Sequence, residues 1–315
     1  MNSPRYLIAS DFDDTLFRTS EPGPSGMTVQ KAYTQGLDDL FGEEVGERFF
    51  ATYGFHGEAP SQIIQAVLDM SNGHLINNAK RVHQKQNGDF PKIIPESQEG
   101  TVLWNDENPQ TTLTSMLIIR KLAYLLREIG AHDQNDKPWP LPCEGALYFL
   151  RSLELLKEKG VPIDFAIISS GHESFIRKSL GVWIVPQPDI LVTDDHVRLR
   201  QFPKEAEHKF KPGVFPVALA HFQWIKKQGL SASRETGCDT RARIMHIGDN
   251  PTKDLVMADK AGIKSNLLYP FTPWESVTNA LIANGDFFDG RPIAEILKLQ
   301  SVKAEGSYSA GKERR

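Results

Sequence analysis

The feature of this sequence that most constrains its fold is an alternation of short apolar runs with amphipathic stretches. Five apolar runs each end in small or acidic residues, as buried strands do where they leave a core: YLIAS, DFAIISSG, DILVTDD, RIMHIGD and KSNLLYP. Helical patterns alternate with four of them, at 143–160, 173–181, 213–229 and 252–262, and three of these patterns end in glycine after a basic turn. This order predicts a doubly wound, Rossmann-like parallel α/β sheet, in which ligands bind beyond the carboxyl ends of the strands.

One long segment interrupts the alternation. Between residues 19 and 140 the patterns are helical, as in TTLTSMLIIRKLAYLLREIG, and turn-rich stretches at 21–26 and 131–142 border the segment. The stretch NGDFPKIIPESQEGTVLWNDENPQ shows no clear period and is left unassigned. We therefore predict a discontinuous α/β core formed by residues 1–18 and 141–299, an inserted α-helical domain at 19–140, and a polar, disordered tail at 300–315.

Charge and cysteine content exclude several classes of function. Lysine and arginine number 36 against 40 acidic residues, a net charge of -4 that provides no basic footprint for nucleic acid or an anionic membrane. Cys143 and Cys238 lie far apart, and the histidines form no cluster with metal-type spacing. No signal-peptide pattern opens the sequence, and the longest apolar stretch is interrupted by Arg120 and Lys121. We expect a soluble, cytoplasmic protein that binds neither nucleic acid nor membrane; its oligomeric state is not readable.

Polar residues gather where the predicted strands end. Asp11, Asp13 and Asp14 follow the first strand, Ser169 ends the second, and Asp249 follows the fourth. In a parallel sheet these ends share one edge. A lone aspartate at such a position is usually a turn former, and we assign only Asp14 to the turn. Crowded carboxylates repel one another, so the set as a whole favours a cation site or charge-based chemistry.

Two more residues belong to this edge. Lys211 precedes a predicted helix, with Lys209 as the rival lysine, and Asp254 lies early in the helix after Asp249. Phosphoryl transfer requires a nucleophile, a proton donor, carboxylates that hold Mg²⁺, and positive charge on the phosphoryl oxygens. The combined set supplies each of these groups. His172 is expected to cap a helix or meet solvent, and His246 to lie in the core.

With these residues in this order, the sequence resembles the haloacid dehalogenase-like (HAD) superfamily. The resemblance rests on four motifs, which are Asp11-Phe12-Asp13-Asp14-Thr15 after the first strand, Ser169 ending the second, Lys211-Pro212 before a helix, and Gly248-Asp249 with Asp254. Asp14 stands where that family commonly has glycine. The resemblance covers about residues 5–18 and 142–285, and the helical insert falls where the family places a cap, between its first and second motifs.

The resemblance implies a role for each residue. Asp11 would be the nucleophile that forms an aspartyl-phosphate, and Asp13 the general acid and base. Mg²⁺ would be held by Asp11, the backbone carbonyl of Asp13 and Asp249, while Asp254 would act through water or anchor Lys211. The remaining predicted residues would bind the phosphoryl group; they are Thr15, Ser169, Ser170, Gly171 and Lys211.

The first motif also bears on the reaction. Dehalogenases of this superfamily lack the second aspartate, because a halide leaving group needs no proton, so Asp13 favours phosphate esters. We therefore expect a Mg²⁺-dependent phosphoric monoester hydrolase that acts on a small phosphorylated metabolite enclosed by the cap. Two alternatives stay open. One is a phosphomutase or phosphotransferase of the same superfamily, and the other is a non-catalytic binding or regulatory protein, which would be expected to lose the nucleophile or the metal-binding acids.

Overall fold

The structure is a computed structural model that describes residues 5–54, 60–85, 104–132, 135, 137–198, 210–230 and 240–299. The chain divides into two compact units, one formed by Met1–Arg18 with Leu141–Arg315 and the other by Thr19–Pro140. Four sequence predictions lie wholly or mainly outside the described residues. They concern the disordered tail at 300–315, most of the unassigned stretch, Lys209 and Cys238.

The first unit is built on one parallel sheet with the strand order β3-β2-β1-β4-β5. Its strands coincide with the five predicted runs, namely β1 Tyr6–Ser10, β2 Ile163–Ile168, β3 Ile190–Val192, β4 Ile244–Gly248 and β5 Ser265–Leu268. β1 lies at the centre, where Ala9 pairs with Ala166 of β2 and with His246 of β4. The predicted doubly wound, Rossmann-like fold is confirmed, and the carboxyl ends of β1, β2 and β4 meet at one edge.

Helices connect the strands of this unit. Those that the sequence predicted are α6 Ala146–Glu158, α7 Glu173–Val182, α9 Phe215–Lys227, and a π-helical turn Pro251–Leu255 that continues into α10 Val256–Lys260. Three further helices were not predicted from the sequence, namely α8 Asp194–Arg198, α11 Trp274–Ala283 and α12 Ile293–Leu297. The glycines predicted to stop α6, α9 and α10 all have positive φ, at +84°, +69° and +77°.

Apolar side chains cover both faces of the sheet. On one face, Leu7 and Ala9 of β1 pack in a buried cluster with Val217 of α9 and Met257 of α10. On the other face, Phe165 of β2 makes an edge-to-face ring contact of 5.7 Å with a phenylalanine of α6. Burial on both faces explains why the strands read as continuous apolar runs rather than as alternating ones. It also holds the strand ends rigidly, which positions the polar residues that follow them.

The second unit is helical. Its helices are α1 Val29–Phe41, α2 Val45–Tyr53, α3 Pro60–Met70, α4 Leu75–Lys85 and α5 Pro109–Glu128, of which α2 and α4 were not singled out from the sequence. They share a buried apolar core that includes Leu37, Phe49, Ile64 and Leu117. Glu128 at the end of α5 accepts hydrogen bonds from the backbone N–H and hydroxyl of Ser25, at 2.7 and 2.6 Å. Among the described residues, no helix is long and apolar enough to cross a bilayer.

Candidate active site

The loop after β1 is anchored so that its aspartates are held in place. Phe12 and Phe17 are fully buried and stack at 5.1 Å, and the backbone N–H of Phe17 donates to the Phe12 carbonyl at 3.1 Å. The backbone N–H of Asp11 donates to the carbonyl of Ile247 in β4 at 2.8 Å. The apolar residues of the DFDDTLF motif therefore fix the backbone from which the polar residues project.

Asp14 adopts a positive φ of +52°, and its backbone N–H donates to the Phe17 carbonyl at 2.7 Å. Aspartate tolerates this left-handed conformation better than most residues other than glycine. The geometry gives a physical reason why aspartate can stand where the HAD resemblance leads one to expect glycine. It also supports the assignment of Asp14 to the turn.

A buried lysine joins two of the predicted acids. Lys211 Nζ donates to Asp254 Oδ1 at 2.6 Å and forms an ion pair with Asp11 Oδ1 at 2.7 Å, and its side chain is only 3% exposed. Burial alone would lower the pKa of Lys211, but the charges of Asp11 and Asp254 outweigh it and raise that pKa, so the ammonium stays protonated. The lysine that the sequence analysis preferred thus lies among the predicted catalytic residues.

Asp249 completes a group of three acids. One carboxylate oxygen from each of Asp11, Asp249 and Asp254 lies within 4.8 Å of the other two. Burial raises the pKa of Asp249 to about 6, and the charge of Asp254 adds to the effect. Burial also raises the pKa of Asp11, with contributions from the neighbouring acids, while Lys211 opposes the shift. One ammonium therefore does not balance the three carboxyl groups, of which Asp11 and Asp254 are buried and Asp249 is half-buried.

This group of acids fits a hard divalent cation. Mg²⁺ prefers one or two carboxylates together with water and phosphate oxygens, and within the described part of the chain the converging group consists of carboxylates alone. Asp11 Oδ1 is buried and accepts no well-aligned hydrogen bond from the described residues, although Lys211 lies close to it. Asp254 fits less well as a ligand, because Lys211 occupies its Oδ1 and the backbone N–H of Asn250 donates to its Oδ2 at 3.2 Å.

Glycine at position 248 lets Asp254 reach this group. A Cβ atom at Gly248 would lie 2.4 Å from Cβ and Cγ of Asp254 and 2.5 Å from its Oδ2. Asn250 caps the following turn, since its side-chain oxygen accepts from the backbone N–H groups of Thr252 and Lys253, each at 3.0 Å. The turn after β4 therefore folds back so closely that only a residue without a side chain fits at its start.

Ser169 and Asp13 meet although they are 156 residues apart in the sequence. The hydroxyl of Ser169 lies 3.2 Å from Asp13 Oδ2, and the backbone N–H of Gly171 donates to Ser169 Oγ at 2.8 Å. The backbone N–H of Ser169 donates a hydrogen bond to the carbonyl of Val192 in β3 at 3.0 Å. Ser170 is exposed at the turn. The predicted proton donor and the predicted phosphate-binding serine are thus direct neighbours.

Two predicted phosphate-binding groups already have partners within the protein. The backbone N–H of Gly171 donates to Ser169 Oγ, and the Thr15 hydroxyl donates to Asp249 Oδ1 at 3.1 Å. The backbone carbonyl of Thr15 is held in turn by Trp274 Nε1 at 2.7 Å. In this arrangement Thr15 orients one acid of the three-acid group. Its assignment to phosphate binding stays a prediction.

The two histidines weighed in the sequence analysis are both buried. His246 lies in the core within β4, as predicted, and burial lowers its pKa to about 4. His172 occupies the N-cap position of α7, but its side chain makes no capping hydrogen bond and its Nδ1 lies 2.8 Å from Asp195 Oδ1. Asp195 was not among the residues predicted from the sequence, although its place at the acidic end of the run DILVTDD is a signal that could have identified it.

Comparison with known proteins gives structural likenesses only. No protein-family model matches this chain, and no curated protein sequence matches it. YfnB from Bacillus subtilis, assigned to the HAD hydrolases and solved bound to magnesium, is 15% identical over 86% of this chain and 92% of its own, with a TM-score of 0.34.

Two further solved structures are similar to the chain. CbbY from Rhodobacter sphaeroides, in complex with phosphate, is 13% identical over 84% of this chain and 86% of its own, with a TM-score of 0.38. L-2-haloacid dehalogenase from Xanthobacter autotrophicus, with chloropropionic acid covalently bound, is 14% identical over 95% of this chain and 90% of its own, with a TM-score of 0.36.

Proposed function

We propose that this chain, which combines a Rossmann-like sheet with the four ordered motifs of the HAD-like hydrolases, is a Mg²⁺-dependent phosphatase of a small phosphorylated metabolite. The observation that carries the proposal is the position of Lys211, whose ammonium lies 2.7 Å from Asp11 and 2.6 Å from Asp254. Charge of both signs is thereby concentrated at the carboxyl edge of the sheet, beside the contact between Ser169 and Asp13. Phosphoryl transfer uses this combination of groups.

The proposed cation ligands are Asp11, Asp249 and the backbone carbonyl of Asp13. When bound, Mg²⁺ would supply positive charge that offsets the repulsion of the acids and favours the ionised form of the nucleophile. Asp254 is assigned to the anchoring of Lys211, since both of its oxygens already accept hydrogen bonds. Thr15 is assigned to the orientation of Asp249, whose Oδ1 it contacts at 3.1 Å.

In the proposed first step, a carboxylate oxygen of Asp11 attacks phosphorus while the bond from phosphorus to the leaving oxygen breaks. Asp13 gives its proton to that oxygen, so that an alcohol leaves. The ammonium of Lys211 and the hydroxyl of Ser169 balance the charge on the phosphoryl oxygens. Ser170 and Gly171 are proposed as further phosphate contacts. The backbone N–H of Gly171 now donates to Ser169 Oγ, so it would donate to a phosphoryl oxygen in addition to that atom or in place of it.

In the second step, water attacks phosphorus of the aspartyl-phosphate and Asp13 accepts the proton of that water. The bond between phosphorus and Asp11 breaks, which releases inorganic phosphate and restores both acids. Asp13 is proposed for both steps because its Oδ2 lies 3.2 Å from the hydroxyl of Ser169, the side chain proposed to bind the phosphoryl group.

The proposal extends to the helical unit and to the cellular compartment. Thr19–Pro140 lies between the first and second motifs in the sequence, so we assign it the role of a cap that selects a small substrate. A reducing compartment such as the cytoplasm suits the free thiol of Cys143, which is buried and whose pKa is raised to about 12 by that burial.

The test is phosphate release from a panel of small phosphorylated metabolites, with added Mg²⁺ and with a chelator. We expect release that depends on Mg²⁺, and the best substrate would identify what the enzyme recognises. Transfer of the phosphoryl group to a second position of a sugar, without net release, would replace the proposal with a mutase. Absence of both reactions would favour a fold retained for binding.

A second experiment tests the role of Asp13. In Asp13→Asn the side-chain amide cannot act as a general acid. We therefore expect kcat/KM for an alkyl phosphate to fall by about 10²-fold or more, which is the usual contribution of a general acid. The value for an aryl phosphate should fall much less, because its leaving oxygen needs no proton. The ratio kcat/KM isolates the first phosphoryl transfer. Equal losses for the two substrates would rule out the acid role.

A further inference from the structure

A buried histidine–aspartate pair lies next to the proposed phosphate site, outside the residues assigned to it. His172 Nδ1 and Asp195 Oδ1 are 2.8 Å apart, and their side chains are 2% and 9% exposed. The two residues come from different strand ends, since His172 follows β2 and Asp195 follows β3. A buried polar pair is costly to form unless its geometry is good and its remaining atoms are satisfied.

Asp195 uses both of its oxygens to hold the same short segment. While Oδ1 contacts His172, Oδ2 accepts the backbone N–H of Glu173 at 3.0 Å. That N–H belongs to the first turn of α7, where helix N–H groups have no partner within the helix. The side chain of His172, at the N-cap position, makes no capping hydrogen bond. Asp195, which follows the neighbouring strand, accepts the helix N–H in its place.

The segment held in this way is the Ser169 loop, defined as residues 169–172. At its other end, Ser169 is held by the Val192 carbonyl and contacts Asp13, while Gly171 donates to Ser169 Oγ. The loop is tightly packed, because a Cβ atom at Gly171 would lie 3.0 Å from Ser169 Oγ and 3.3 Å from Asp13 Oδ2. A shift of His172 would therefore be transmitted to the serine hydroxyl.

We propose that Asp195 and His172 are positioning residues that hold the Ser169 loop in the conformation that binds a phosphoryl group. The inference rests on the proposed function of the site, in which Ser169 contacts the phosphoryl oxygens. Neither residue takes part in bond making; their contribution is to fix the loop between two strand ends. Displacement of a binding group by about 1 Å can cost about 10²-fold in rate, so such a clamp has a measurable effect.

The first test compares Asp195→Asn with Asp189→Asn. Only one of the two terminal side-chain atoms of asparagine can accept a hydrogen bond, so Asp195→Asn removes either the bond with His172 or the bond with the Glu173 N–H. Asp189 is a matched control at the opposite end of β3, where it accepts the backbone N–H of Phe165 at 2.9 Å and pairs with Lys157 and Lys227. Both changes remove a clamping carboxylate, but only one of them lies at the phosphate edge of the sheet.

The readout is the Kd of inorganic phosphate in the presence of Mg²⁺, measured by calorimetry well below the melting temperature of each variant. We expect Asp195→Asn to weaken phosphate binding about 10-fold, and Asp189→Asn to lower the melting temperature without changing Kd. Unchanged binding in Asp195→Asn, or equal weakening in both variants, would overturn the inference. This measurement needs no turnover, so it separates failure of the clamp from failure of the phosphatase proposal.

A second pair of variants covers the case in which Asp195→Asn does not fold. His172→Asn places an amide N–H near the position of Nδ1 and keeps a donor for Asp195, whereas His172→Ala removes the donor. We expect His172→Asn to bind phosphate within about threefold of the wild type, and His172→Ala to bind about 10-fold more weakly. Equal affinities in the two variants would contradict the positioning role of this hydrogen bond.

Discussion

Replacing Asp11 with Asn is expected to reduce phosphate release by on the order of 10³-fold or more, because the amide cannot act as the nucleophile. The fold should survive the change. Burial and the neighbouring acids raise the pKa of Asp11, which means that the ionised carboxylate is electrostatically unfavourable at this position. A neutral amide does not carry that cost. Lys211 keeps its hydrogen bond to Asp254 at 2.6 Å. The measurement is phosphate release under saturating Mg²⁺ together with a thermal melt.

Asp14→Asn is the matched control for this variant. It makes the same chemical change three residues away, in the same loop, and asparagine tolerates the positive φ of +52° at this position. We expect its activity to stay within a few-fold of the wild type. If Asp11→Asn retained substantial activity, or if Asp14→Asn were equally impaired, the assignment of the nucleophile would have to be abandoned.

Replacing Gly248 with Ala is expected to have the second-largest effect. The added methyl group would lie 2.4 Å from Cβ of Asp254, and β4 cannot move aside because it pairs with both β1 and β5. Asp254 must therefore shift and weaken its contact with Lys211. We expect activity to fall by about 10²-fold and the free energy of unfolding to fall by about 1–3 kcal/mol.

Gly181→Ala provides the control for Gly248→Ala. Gly181 lies within α7, a Cβ atom there would meet nothing within 4 Å, and its φ is not positive. Since alanine favours helices over glycine by about 1 kcal/mol, this variant should be as stable as the wild type or more so, with unchanged activity. Full activity in Gly248→Ala would show that Asp254 can move without affecting the site, which would remove its anchoring role.

Local features of the sequence were sufficient to identify the strands and most helices of the α/β unit. A strand buried on both faces is a continuous apolar run, and a helix commonly ends at a glycine. Each element can therefore be recognised from its own residues and the few that flank it. The helices that were not singled out from the sequence include α2, α4 and α11, which the structure forms. Their stability comes from packing against neighbouring helices, which a local pattern does not record.

The sequence by itself determined which residue types stand at the strand ends, because the order of motifs and the parallel topology bring Asp11, Ser169 and Asp249 to one edge. Only the tertiary structure decided which atoms meet there. The Thr15 hydroxyl bonds Asp249 across 234 residues, and Asp195 clamps the residues after β2 across 23. Hydrogen bonds act over about 3 Å. They depend on the register of strands and on loop conformations that no local pattern specifies, so pairings between distant segments appear only once the chain is folded.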